Sequence, residues 1–227
     1  MNEVKKNKIY LSLAKVSSWT GLSRIFGLIR DVVTTNLLGA SVFHDIFVVT
    51  LKIPNLFRRF FAEGAFNQAF IPIYSDYQKG NDEKNTQEFI NSLAGSFLSI
   101  LFLFTILVLL ITPIFIFIFA PGFYYDDSKR IIAIDLLRIM FPYLALISLV
   151  SFASGIQNTH EKFSIPAFTP LIFNITLIVA AIFIAPRINL PVYALAWGVL
   201  IAGFLQLLIH IYALKNINRL PTPKINF

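Results

Sequence analysis

Six apolar stretches, each long enough to cross a bilayer, constrain this chain more than any other property. They run from about Ile9 to Leu38, Phe43 to Tyr77, Glu88 to Phe119, Ser128 to Asn158, Phe163 to Ala185 and Pro191 to Lys215. About 20 helical residues cross the hydrocarbon core, and only helices and closed barrels satisfy every backbone polar group there. With 56% hydrophobic residues in 227 positions, the expected fold is all-α, a polytopic membrane protein built as a six-transmembrane-helix bundle. The connections, Gly39 to Asp45, Gln78 to Thr86, Ala120 to Asp127, Thr159 to Lys162 and Pro186 to Leu190, are short. Short connections predict antiparallel packing of consecutive helices. Residues 1–8 are basic and precede an apolar run too long and too rich in arginine for a secretory signal, so the run is expected to remain as the first span. The expected layout is a basic N-terminus over 1–8, a membrane domain over 9–216 and a polar linker over 217–227.

Charge gives an orientation. With the N-terminus in the cytoplasm, that side holds Lys5, Lys6, Lys8, Lys79, Lys84, Lys162, Lys215, Arg219 and Lys224, and the far side only Lys129, Arg130 and Arg187. Nine bases against three favour both termini inside, and anionic lipid explains the net charge of +7 better than nucleic acid does. The chain has no cysteine, which removes disulfides, thiolate metal sites and cysteine nucleophiles.

The other seven bases, Lys15, Arg24, Arg30, Lys52, Arg58, Arg59 and Arg138, lie within the apolar stretches. An arginine at the bilayer centre costs roughly 2.5 to 3.5 kcal/mol on insertion scales, so these side chains are expected to line a polar cavity. On a helical wheel of the first stretch, Ser17, Thr20, Gly21, Ser23, Arg24, Gly27, Arg30, Asp31 and Thr34 share one half, while Leu22, Ile25, Phe26, Ile29, Val32 and Val33 take the other. Asp31 follows Arg24 by two turns, where its carboxylate can hold an arginine. Gly21 and Gly27 allow another helix or a bulky ligand to approach. The bland reading satisfies Arg24 and Arg30 within the protein. Only Asp31, Asp45, Glu63 and Asp135 are obvious acids in the spans, and that shortage favours an anionic ligand, for which the guanidinium fork is suited.

The second stretch carries Pro54, Gly64 and Pro72, so a kink or unwound turn is expected there, of the kind tolerated where backbone lines a cavity. Asp45, Lys52, Asn55, Arg59 and Glu63 cluster on its wheel, with Arg58 to one side. The competing reading of Arg58 and Arg59 is a juxtamembrane pair reaching lipid head groups, and Glu63 can pair with either. His44, His160 and His210 show no metal-ligand spacing and read as ordinary loop or interface residues. Asp126 and Asp127 read as a solvated pair able to cap the fourth helix. Arg138 stays open as a residue of the bundle interior. No phosphate-binding glycine loop, nucleophile elbow or zinc motif occurs, so no cofactor and no covalent catalysis is expected.

The runs "SSWTGLSRIFGLIRD" (Ser17 to Asp31) and "LLGASVFHDIFVVTLKIPNLFRRFFAEGAFNQAFIPIY" (Leu37 to Tyr74) resemble the first two helices of the MurJ/MviN lipid II flippases, within the multidrug, oligosaccharidyl-lipid and polysaccharide exporter superfamily. "APGF" (Ala120 to Phe123), "FPY" (Phe141 to Tyr143), "NTHEKFSIPAFTP" (Asn158 to Pro170) and "ALAWGV" (Ala194 to Val199) are similar too, so the resemblance covers nearly the whole chain. It implies a transporter, not an enzyme, that moves undecaprenyl-pyrophosphate-linked disaccharide pentapeptide (lipid II) between leaflets of the bacterial inner membrane for peptidoglycan synthesis. It implies a substrate cavity at Arg24, Arg30 and Arg58, with Asp31, Asp45, Asn55 and Glu63 at positions that match the family's polar motif; taken with the wheels, Ser23, Asp31 and Asn55 are expected beside the cavity, and Asp45, Lys52, Arg59 and Glu63 in support or gating. The family resembles a fourteen-helix protein of two six-helix lobes and a two-helix addition, so 227 residues correspond to the N-terminal lobe, and a second, C-terminal lobe is the expected partner. The competing expectations are a non-transporting lobe that binds anionic lipid or needs a partner lobe, and an exporter of another polyprenyl-linked oligosaccharide.

Overall fold

The computed structural model describes residues 3–63, 65–80 and 82–224, with side chains throughout except at 3–9, 11, 12, 62, 63 and 65–67. No strand occurs among the described residues, and ten α-helices follow one another. They are α1 (Glu3–Leu38), α2 (Val42–Arg58), α3 (Ala65–Lys79), α4 (Glu83–Leu110), α5 (Thr112–Phe119), α6 (Pro121–Tyr124), α7 (Asp127–Met140), α8 (Tyr143–Thr159), α9 (Ser164–Val179) and α10 (Pro191–Asn216). Four stretches are long and apolar enough to cross a membrane: Glu83–Leu110, Asp127–Thr159, Ser164–Arg187 and Pro191–Asn216. The chain is an all-α polytopic membrane protein. At 36 residues α1 is about 54 Å long, ample for a crossing, but it and α2 carry the arginines that lower their hydropathy.

The helix ends follow local chemistry. Gly39, at φ +62°, closes α1 through its N–H on the Thr35 carbonyl at 2.7 Å, a left-handed cap that glycine adopts without cost. Asp82 accepts from Asn85 N–H at 3.0 Å and starts α4 at Glu83, five residues before the sequence places it. Asp126 caps α7 through Ser128 N–H and Lys129 N–H, and the bonds from Lys129 and then Ser128 hold its carboxyl well below the usual carboxylate range. The single helices expected over 88–119 and 128–158 each divide, the first at Ile111 ahead of Pro113 and the second at Phe141 and Pro142. The break in the second stretch is displaced from Pro54. That proline sits buried in continuous helix, and a π-helical turn at Arg59–Glu63 separates α2 from α3 instead.

Packing follows surface complementarity more than chain order, contrary to the expectation from short connections. The main neighbour of α1 is α9, not α2, and α10 packs chiefly on α8 and α9. Lipid is as apolar as leucine, so close van der Waals contact holds such helices together. On α10, a Cβ added at Gly203 would lie 2.8 Å from Tyr143 Cδ2 and 3.0 Å from Leu146 Cδ1, so only glycine allows α8 this near. The stretch of α7 and α8 is the centre of the bundle, its apolar window 61% buried against 33% for α4. Leu136, Leu137, Met140, Phe141 and Leu144 meet Ile46 and Ile53 of α2 and Leu195 and Val199 of α10 there.

Candidate functional site

A cavity of about 710 Å³ opens between α1, α2, α8, α9 and α10. One face of α2 supplies much of its wall: His44, Phe47, Val48, Leu51, Lys52 and Asn55 recur at helical spacing, and Arg58 and Arg59 follow as the chain enters the π turn. From α1 come Arg30, Asp31, Thr34 and Thr35; α8 gives Tyr143 and Ile147. Among the described residues, four strongly basic side chains, Arg30, Lys52, Arg58 and Arg59, share this cavity with one carboxylate, Asp31.

Arg30 is held from three sides. Its Nη2 donates to Asp31 Oδ1 at 2.6 Å and its Nε to the same oxygen at 3.1 Å. Nη1 donates to Asn174 Oδ1 at 2.9 Å, and the guanidinium carbon lies 5.7 Å from the Phe173 ring centre. The Asn174 amide in turn donates to the Ser23 carbonyl at 2.9 Å, tying α9 to α1 in both directions. Gly27 sits under this clasp: a Cβ there would lie 3.5 Å from Asn174 Nδ2. Asp31 remains 64% exposed, so its oxygens neutralise Arg30 while facing the opening.

Of the residues singled out from sequence, Arg30, Asp31, Asn55, Lys52, Arg58 and Arg59 meet in this cavity. Arg24 and Ser23 line an adjoining cavity of about 460 Å³ with Thr20, Asn158 and Pro170, and Pro170 belongs to both walls. Arg24 and Arg30 lie about 120° apart around α1, Arg30 at one edge of the polar half and Arg24 well inside it, and so they open into different spaces. Asp31 pairs with Arg30 rather than with Arg24 two turns away. Asp45 is exposed in the first turn of α2 and lies outside both linings. The side chain of Glu63 lies outside the described residues, as does Gly64. Arg138 is exposed on α7.

Sequence reasoning missed Asn174, Thr169 and Gln206, which complete the wall from α9 and α10. Behind them His210, fully buried, is bracketed by Gln157 Nε2 at 2.7 Å on Nδ1 and Thr169 Oγ1 at 2.7 Å on Nε2. Gln206 Nε2 donates to the Thr169 carbonyl at 3.0 Å. The available signal was a lone amide inside an apolar run, "IFNIT" and "FLQLL", since a buried amide in lipid needs partners. His44 also lines the cavity, with Nδ1 buried and unbonded among the described residues. Among the described residues no group of three histidine or carboxylate side chains is arranged to hold a metal ion.

The family model described as lipid II flippase MurJ matches residues 34–227. The chain is 45% identical over 219 residues to a probable lipid II flippase MurJ of Buchnera aphidicola, covering 96% of this chain and 43% of that protein. It is 38% identical over 218 residues to the lipid II flippase MurJ of Burkholderia cenocepacia (96% and 42%), and 39% identical over 212 residues to a probable one of Haemophilus influenzae (90% and 42%). The chain therefore spans less than half the length of these relatives. The match includes α2, the π turn and the α9 wall, and the chain belongs to the lipid II flippase MurJ family.

Proposed function

We propose that this chain forms the arginine-bearing wall of a lipid II flippase, and that its central cavity receives the pyrophosphate of the undecaprenyl-linked precursor during alternating access. The observation that carries this reading is the gathering of Arg30, Lys52, Arg58 and Arg59 on one cavity beside Asp31. Several positive side chains gathered at a membrane cavity favour an anion there, and two phosphates spread over several oxygens match guanidinium forks and an ammonium. Asp31 acts as the resident counterion: the incoming phosphate replaces its oxygens on Arg30, while Asn174 and Phe173 keep the guanidinium in place. Gln206, Thr169 and Asn55 supply neutral hydrogen-bonding groups for the sugar and amide parts of a head group.

The location proposed is the bacterial inner membrane with both termini in the cytoplasm, following the lysine and arginine asymmetry. Residues 9–216 act as one six-helix lobe, with α1 and the α2–α3 stretch as its first two crossings and 217–227 as the linker out of it. Relatives more than twice as long as the chain support the further proposal that transport needs a second, C-terminal lobe facing this cavity.

The test is a flipping assay on the protein that includes this chain and the remainder of the family's length. Arg30→Ala and Arg58→Ala are each expected to abolish lipid II transfer with membrane insertion unchanged. Normal transfer in both variants would remove the cavity from the mechanism.

A further inference from the structure

The reading above leaves a separate cavity of about 420 Å³ unused, at the end of the α1–α9 seam. Lys15 of α1, Lys162 of the α8–α9 connection, Ser164 at the start of α9 and Asn216 at the end of α10 line it, with Gln157 in its wall and Glu161 at its edge. Neither lysine forms an ion pair among the described residues, whereas Glu161 is already engaged. Two lysines from different elements thus line one cavity, neither of them in an ion pair among the described residues.

Two further observations make this more than a basic rim. The 16-residue helix α9 begins here with no side chain capping it, since its N-cap is Phe163, and the positive end of its dipole borders the cavity. Gln157 is 1% exposed, and its Oε1 has no partner while Nε2 meets His210. Turned by half a rotation, the same amide accepts from His210 and its NH₂ takes the unpartnered position in the wall that Gln157 lends to the cavity. His160, two residues before Lys162, is held below its ordinary pKa by burial and then by Arg219 and Lys162, which reports the same positive field.

We propose that this cavity is a second anion site, which binds a phosphate group through Lys15, Lys162, Ser164 and the start of α9. A lipid head group and free phosphate share the chemistry that the site recognises. The site is independent of the flippase reading, and it lies about 14 Å along α1 from Arg24 and about 23 Å from Arg30.

The test uses the whole chain in phosphatidylcholine nanodiscs and follows acetylation of Lys15 and Lys162 by mass spectrometry, with exposed Lys84 as the reference. Adding phosphatidic acid is expected to slow both lysines about tenfold relative to Lys84, as loss of one charge-assisted contact would predict. Inorganic phosphate replaces the lipid in a second arm. Protection by lipid alone assigns a head group, protection by both assigns the phosphate group itself, and protection by neither overturns the proposal. Lys15→Gln should remove the protection of Lys162; unchanged protection means that no shared site exists. Arg30→Gln should leave protection intact whether or not lipid II is flipped, so loss of protection in that variant would also overturn the proposal.

Discussion

Two seams hold this bundle together by different means. Along the α8–α10 seam, Gly203 brings the backbone of α10 against Tyr143 and Leu146, and His210 is clamped between Gln157 and Thr169 in full burial. The α1–α9 seam joins one long helix to the bundle through the Arg30, Asp31 and Asn174 clasp and an edge contact of Trp19 on Phe168 at 4.9 Å. Beyond that contact α1 leaves Leu22, Ile25, Leu28 and Val32 exposed. The first seam is closely packed. The second is polar, borders three cavities and can exchange its contacts with an anion. Rigidity and reactivity are thus assigned to different helix pairs of one bundle.

The comparison predicts a ranked series of effects. Gly203→Leu should be the most damaging, because the added side chain has no space beside Tyr143; overpacking of this kind costs about 3 kcal/mol, read as a lower unfolding free energy in detergent. A smaller loss of about 1 to 2 kcal/mol is expected for Asn174→Leu, which takes a charged hydrogen bond from Arg30 and a donor from the Ser23 carbonyl. That variant should also raise labelling of single cysteines placed along α1 while those on α10 stay protected. Equal losses from the two substitutions would break the distinction between the seams.

The smallest effect is at the rim. His160, bonded to Tyr74 at 2.9 Å and Gln78 at 2.8 Å, has its pKa lowered by burial first and by Arg219 and Lys162 next. Above its ordinary pKa of about 6.5 it is neutral both folded and unfolded, so pH has no effect through it. As pH falls below that value the unfolded chain takes up the proton first, and stability declines until the folded pKa is passed. A shallow drop in melting temperature on acidification is expected, and His160→Gln should flatten it. A drop that persists in the variant would locate the titration elsewhere.

Much of this was legible in the chain itself, for identifiable reasons. Hydropathy located the helices because length and apolarity report on the bilayer, and arginines inside apolar runs marked the cavity because lipid cannot solvate them. Partnership was not legible. A wheel gives angles on one helix, so it grouped Arg24 with Arg30 but could not tell that α9 would wedge Asn174 between them. Short connections suggested sequential neighbours, yet Gly27 and Asn174 complement each other across a large sequence separation, and that fit prevailed. Pro54 signalled a break that the tightly packed α2 absorbs, while the π turn falls at Arg59–Glu63, just ahead of the Gly64 that the sequence also marked.

The segment after α10 has a fixed address. Lys224 N–H donates to the Asn91 carbonyl at 3.0 Å, Thr222 N–H to the Asn91 side chain at 2.8 Å, and Gln87 to the Leu220 carbonyl at 3.0 Å. The backbone of Lys224 fills the dent over Gly95 where a methyl group would have to sit. The chain at Lys224 therefore lies on the flank of α4, not on the axis of α10. A tilt of α10 pulls on α4 through this tether, so α10 and the least buried of the four long apolar spans move as one lever.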